Sequence, residues 1–126
     1  MATISTALKL LVQRVTRQFA PPLKILPTTW AEQNREMPEG SPIPGRFSFR
    51  ITPHLVEPLN CCADPRVRRV TYRKSAQQGW TDGVLLNFLG HRIASDPCRI
   101  LVLFPRTKSA EDFNDEKLEP MIEATP

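Results

Sequence analysis

The sequence has no C-x-x-C and only three cysteines, Cys61, Cys62 and Cys98. Adjacent Cys61 and Cys62 make a poor disulfide framework, so the thiols read as small buried side chains in a reducing, intracellular compartment. His54 and His91 stand at no ligand-like spacing to them, and no metal site is expected. Long apolar runs are missing too. None reaches the roughly 18 residues that a membrane-crossing helix needs. No secretory leader is expected, because Lys9, Gln13 and Arg14 interrupt the apolar positions near the start. Acidic residues are absent before Glu32.

What is present suits one modest domain. Of the 126 residues 40% are hydrophobic, enough for a packed core and too many for wholesale disorder. The net charge of +4 is mildly basic, compatible with nucleic acid or another anionic ligand. Proline accounts for 13 residues, and eight of these lie between Pro21 and Pro58. That concentration predicts an extended, poorly regular segment.

The chain divides into three parts. Residues 1–20 carry Ile4, Leu8, Leu11, Val15 and Phe19 at helical spacing, with Lys9, Arg14 and Arg17 largely off that stripe. This amphipathic helix suits a membrane surface, a transit peptide or a docking partner, or it lies on its own domain. Residues 21–65 form the Pro-rich segment. A short helix begins there at Thr28 or Thr29, residues 46–51 alternate as an extended piece, and Pro53 opens another short helix. Residues 66–126 read as strand, loop, helix, strand, helix. The strands are 67–72 and 99–104, the second with a continuous apolar run of the kind covered on both faces. The helices run over 84–94, with Leu85, Leu86, Leu89 and Ile93 inward, and from a cap at Ser109, with Ala110, Phe113, Leu118, Met121 and Ile122 inward. The expected fold class is therefore α/β, a parallel sheet with flanking helices.

The loop between the first strand and helix is the candidate site. Strand, tight loop and helix form the geometry of a phosphate-binding loop, in which backbone N–H groups and a helix N-terminus face an anion. The pattern G-x-x-x-x-G-K-[ST] is not met. Lys74 stands where the first Gly belongs and Trp80 where the Lys belongs. An ordinary strand-to-helix turn is the competing reading.

Residues Asp64-Pro65-Arg66-Val67-Arg68-Arg69-Val70, followed by Lys74-Ser75-Ala76-Gln77-Gln78-Gly79-Trp80-Thr81, resemble the ATPase start of phage terminase large subunits of the lambda-type, GpA-like branch. Trp30-Ala31-Glu32 with Pro44-Gly45-Arg46-Phe47 resembles the N-terminal segment of that branch. Thr52-Pro53-His54-Leu55 resembles the piece before its ATPase strand. Ile100-Leu101-Val102-Leu103-Phe104-Pro105 resembles its second strand. The resemblance covers residues 28–126 and implies a partial P-loop NTPase fold. It further implies that Lys74, Ser75, Ala76, Gln77, Gln78, Gly79, Trp80 and Thr81 surround the phosphates of ATP, with Thr81 offering its hydroxyl to Mg²⁺. Some members carry a basic residue at the start of the loop and an aromatic after the Gly, as Lys74 and Trp80 do here.

In that family the large subunit is the ATP-driven motor and endonuclease that packages double-stranded phage DNA. Its partners are the terminase small subunit and the capsid portal, and it works in the host-cell cytoplasm without a membrane. The strand ending in acidic residues, the arginine finger and the nuclease domain have no counterpart in this sequence. A fragment that holds ATP with negligible turnover is therefore expected. Glu111, Asp112, Asp115, Glu116, Glu119 and Glu123 read as a solvated helix face. Two alternatives stand beside this reading. One is a small basic interaction or DNA-binding protein using Arg66, Arg68, Arg69 and Arg73. The other is a piece of a helicase-like ATPase.

Overall fold

Proline starts helices here more often than it breaks them. The computed structural model describes residues 24–125 together with Leu8, Lys9, Leu11, Val12 and Val15. Helix α1, Pro27–Asn34, opens on Pro27, whose missing N–H is one that a first helical turn leaves unbonded in any case. A one-turn 3-10 segment, Pro53–Leu55, runs into α2, Val56–Ala63, with Pro58 still inside the first turn of α2. Between α1 and α2, β1 (Glu36–Met37) pairs antiparallel with β2 (Gly45–Arg46). The stretch expected to be mostly irregular thus holds two helices and a short hairpin. Pro27, Pro53 and Pro58 stand in first helical turns, and Pro38, Pro42 and Pro44 lie between the two strands.

The helix after the candidate loop begins earlier than expected. A wide, π-type turn, Thr81–Leu86, leads into α3, Asn87–Ala94. Near the C-terminus, α4 (Thr107–Phe113) continues through a second wide turn, Asn114–Leu118, into α5 (Glu119–Ala124). The predicted helix at residues 4–19 lies largely outside the described residues. Of that stretch Leu8, Lys9, Leu11, Val12 and Val15 are helical and exposed.

Two apolar clusters meet at the helix of residues 81–94. Trp30, Ala31, Phe47, Phe49, Leu55, Leu59 and Val84 form the first, with Tyr72 and Trp80 packed on its edge. Leu86, Leu89 and Met121 form the second, with Val102, Phe113 and Leu118 against it. Two positions expected inward face solvent instead, Ile93 at 60% and Ile122 at 50% exposure. Ala110 is exposed as well. Hydroxyl and carbonyl groups tie the first cluster together: Thr28 donates to Asn60 Oδ1 at 3.0 Å, and the His91 Nε2 lies 2.8 Å from the Ile25 carbonyl oxygen.

The parallel sheet expected from residues 67–72 and 99–104 is not seen. Among the described residues the sheet is the two-stranded antiparallel hairpin, and neither segment joins a ladder. A strand needs a partner for its alternating N–H and C=O groups, and here side-chain packing on helices holds these segments instead. Val102 sits on the second cluster and the Phe104 ring lies 5.0 Å from that of Phe113. Leu101 and Leu103, on the opposite face, are each 81% exposed, so the run is covered on one face and not on both. The described architecture is helix-rich, with a small antiparallel sheet.

One glycine is dictated by packing. A Cβ on Gly90 of α3 would lie 2.7 Å from Cζ3 of the Trp30 indole, a rigid ring with no free end to swing aside. Gly90→Ala is expected to cost about 1–3 kcal/mol in a urea titration, despite the better helix propensity of alanine.

Candidate phosphate-binding loop

The loop is closed at its base by two aromatic rings. Tyr72 and Trp80 stack with centroids 4.4 Å apart and planes 18° from parallel. Both are half-buried and rest on the first cluster, so the residue standing in the usual lysine position is a structural clasp. Between them Lys74, Ser75, Ala76, Gln77, Gln78 and Gly79 are all exposed.

Two loop residues have left-handed backbone, Gln77 at φ 58° and Gly79 at φ 70°. At Gly79 a Cβ would meet Thr52 Cγ2 at 3.5 Å and Leu55 Cδ1 at 3.9 Å, ordinary contact distances, so the glycine is required by its φ and not by space. At Gln77 the same conformation costs about 1–2 kcal/mol for a residue with a Cβ. Left-handed residues of this kind are what turn successive N–H groups into an anion-binding concavity. The Lys74 ammonium contacts only the Ser75 carbonyl, at 3.5 Å, and has no acidic partner among the described residues.

Beyond the clasp, half-buried Thr81 opens the wide turn, and the Gly83 N–H donates to the Gly79 carbonyl at 2.6 Å. Leu55 lies directly beneath: a Cβ on Gly83 would stand 2.5 Å from Leu55 Cδ1. Residues 74–79 form the exposed loop, and Trp80 and Thr81 lead from it into the helical turn.

The pattern of the family described as phage terminase large subunit gpA, ATPase domain, matches residues 41–126. The chain belongs to that family. It is 31% identical over 109 residues to the terminase large subunit of Enterobacteria phage P21, an alignment covering 83% of this chain and 16% of that protein. The chain therefore spans about a sixth of the relative's length. No solved structure matches it significantly. The match favours the terminase reading over a small interaction protein.

In this terminase chain Arg68, Arg69 and Arg73 are exposed, and Arg66 is held by Asp64 at 2.8 Å. The side-chain and backbone hydrogen bonds from Arg66 lower the Asp64 carboxyl to about 2. Glu111, Asp112, Asp115, Glu116, Glu119 and Glu123 are all exposed along α4, the wide turn and α5, as a solvated face should be. Among the described residues no group of His, Cys, Asp and Glu is arranged to hold a metal ion by itself. No described helix is long and apolar enough to cross a membrane.

Cys61 and Cys62 are half-buried free thiols, and burial chiefly raises the pKa of Cys62, with Cys61 adding to the effect. Cys98 is free but exposed, against the expectation of a buried thiol, because it lies in the irregular stretch after α3.

Sequence reasoning misses one residue that touches this turn. Arg35, which follows α1, is 1% exposed and donates through Nη1 to the Asp82 carbonyl and to Asn87 Oδ1 at 2.7 Å. Nη2 donates to Asp82 Oδ1 at 3.2 Å. Desolvation lowers the Arg35 pKa, with the Asp82 charge and hydrogen bond pulling the other way. Nothing in the local pattern Asn34-Arg35-Glu36 distinguishes this arginine from a solvated one.

Proposed function

We propose that residues 74–81 bind the phosphates of ATP, as part of the ATP-driven large-subunit motor that packages double-stranded phage DNA. The carrying observation is the exposed loop with left-handed Gln77 and Gly79, leading straight into a helical turn, in a chain of the terminase ATPase family. The donor set fits the group: backbone N–H groups, an ammonium free of acidic partners at Lys74, and the Thr81 hydroxyl at the turn's start.

When bound, Mg²⁺ neutralises phosphate charge. It would arrive with the nucleotide and be held on the protein side by Thr81. Lys74 places its charge beside the phosphates from the entrance of the loop, while Trp80 clasps the base of the loop. Within the full-length family the small subunit, the capsid portal and DNA complete the assembly in the host cytoplasm.

Titration of the 126-residue chain with a fluorescent (mant) ATP analogue and Mg²⁺ tests this. Saturable binding is expected, and Lys74→Ala should weaken it about 10- to 100-fold, the worth of one charge-assisted contact. No binding by the native chain, or equal binding by the variant, overturns the reading.

A further inference from the structure

A buried guanidinium is costly unless every donor finds a partner, so its position carries information. The Arg35 backbone is pinned on two sides: its N–H donates to the Ala31 carbonyl at 3.1 Å, and its own carbonyl accepts from Phe47 N–H at 3.0 Å. The side chain then lies 5.2 Å from the centre of the Phe47 ring and reaches across 47 residues of sequence to Asp82. Its side-chain hydrogen bonds go to Asp82 and Asn87, and Nε stays buried without a partner. Asn87, itself fully buried, donates onward to the Gly83 carbonyl at 3.0 Å.

These bonds explain the wide turn. The carbonyls of Asp82 and Gly83 both accept from side chains, which favours an opened turn where an ordinary helix would close. Asp82 is also the residue next to Thr81, and a bare carboxylate there would repel phosphates.

We propose that Arg35 is a positioning residue for the nucleotide loop, fixing the peptide that follows Thr81 and neutralising Asp82. This role rests on the reading of residues 74–81 as that loop. Lysine cannot replace it, since one ammonium cannot span an in-plane carbonyl, a carboxylate and an amide oxygen together.

Two variants test the role on the full chain. Arg35→Lys keeps the charge and removes the fork. Mant-ADP binding should weaken about 10-fold or more, at a temperature where circular dichroism matches the native chain. Asp82→Asn keeps an acceptor oxygen for Nη2 and removes the charge that offsets buried Arg35, so circular dichroism first checks that the variant is folded as the native chain is. In this variant amide exchange at residues 75–83 should speed up about 5-fold or more, with α1 amides unchanged. A purely structural role would speed α1 and the loop alike. Native binding with unchanged Arg35→Lys affinity, or uniform exchange in Asp82→Asn, overturns the positioning role alone. A native chain that fails to bind mant-ADP removes the loop reading itself, and with it this role.

Discussion

Leu55→Ala is expected to lose about 2–5 kcal/mol of stability, the range for truncating a fully buried leucine. Leu55 has 0% exposure and belongs to the first cluster with Trp30, Leu59 and Val84. Its Cδ1 also lies under the hypothetical Cβ positions of Gly79 and Gly83, so the same side chain floors the loop and its helical turn. Domains of this size have about 5–15 kcal/mol in hand, so the variant should be partly unfolded at moderate urea. A lowered urea midpoint with unchanged slope would show the lost stability. Faster amide exchange at residues 77–83, beyond that of α5, would show that the loop floor has gone. A change below about 1 kcal/mol would mean that this cluster does not support the loop.

Trp30→Ala should cost about 3–5 kcal/mol, the largest effect expected from one substitution here. The indole is 4% exposed, lies over Gly90, and meets the His91 ring edge-on with centroids 6.5 Å apart. The contact has a second reading from the other side. Gly90→Ala is destabilising only because Trp30 occupies the space of the new methyl. In a Trp30→Ala background the same change should become neutral, or stabilise by up to about 1 kcal/mol through helix propensity. A double-mutant cycle in urea measures that sign change, and strict additivity would show that the two residues do not share the contact.

The helix over residues 84–94 was readable because Leu85, Leu86, Leu89 and Ile93 recur at helical spacing, although Ile93 faces solvent. The start of that helix was not. Thr81, Asp82 and Gly83 are weak helix formers, and their helical turn is held by Arg35 from across the fold and by Asn87 one turn further on. Likewise, the continuous apolar run of residues 100–104 marks a strand-forming tendency, but a strand exists only with a partner. Among the described residues Leu101 and Leu103 have none and face water.

By itself the sequence determined the family, the helix over residues 84–94 and the exposed acidic residues of the C-terminal helical stretch. All of these are recorded in residue type and short-range spacing. Only the tertiary structure decided that Trp80 is a clasp stacked on Tyr72, that Gln77 and Gly79 turn left-handed, and that Gly90 makes room for an indole. It alone buried Arg35 against the turn after the loop. Each of these depends on a partner brought close by folding, and a guanidinium 47 positions away leaves no trace in local pattern.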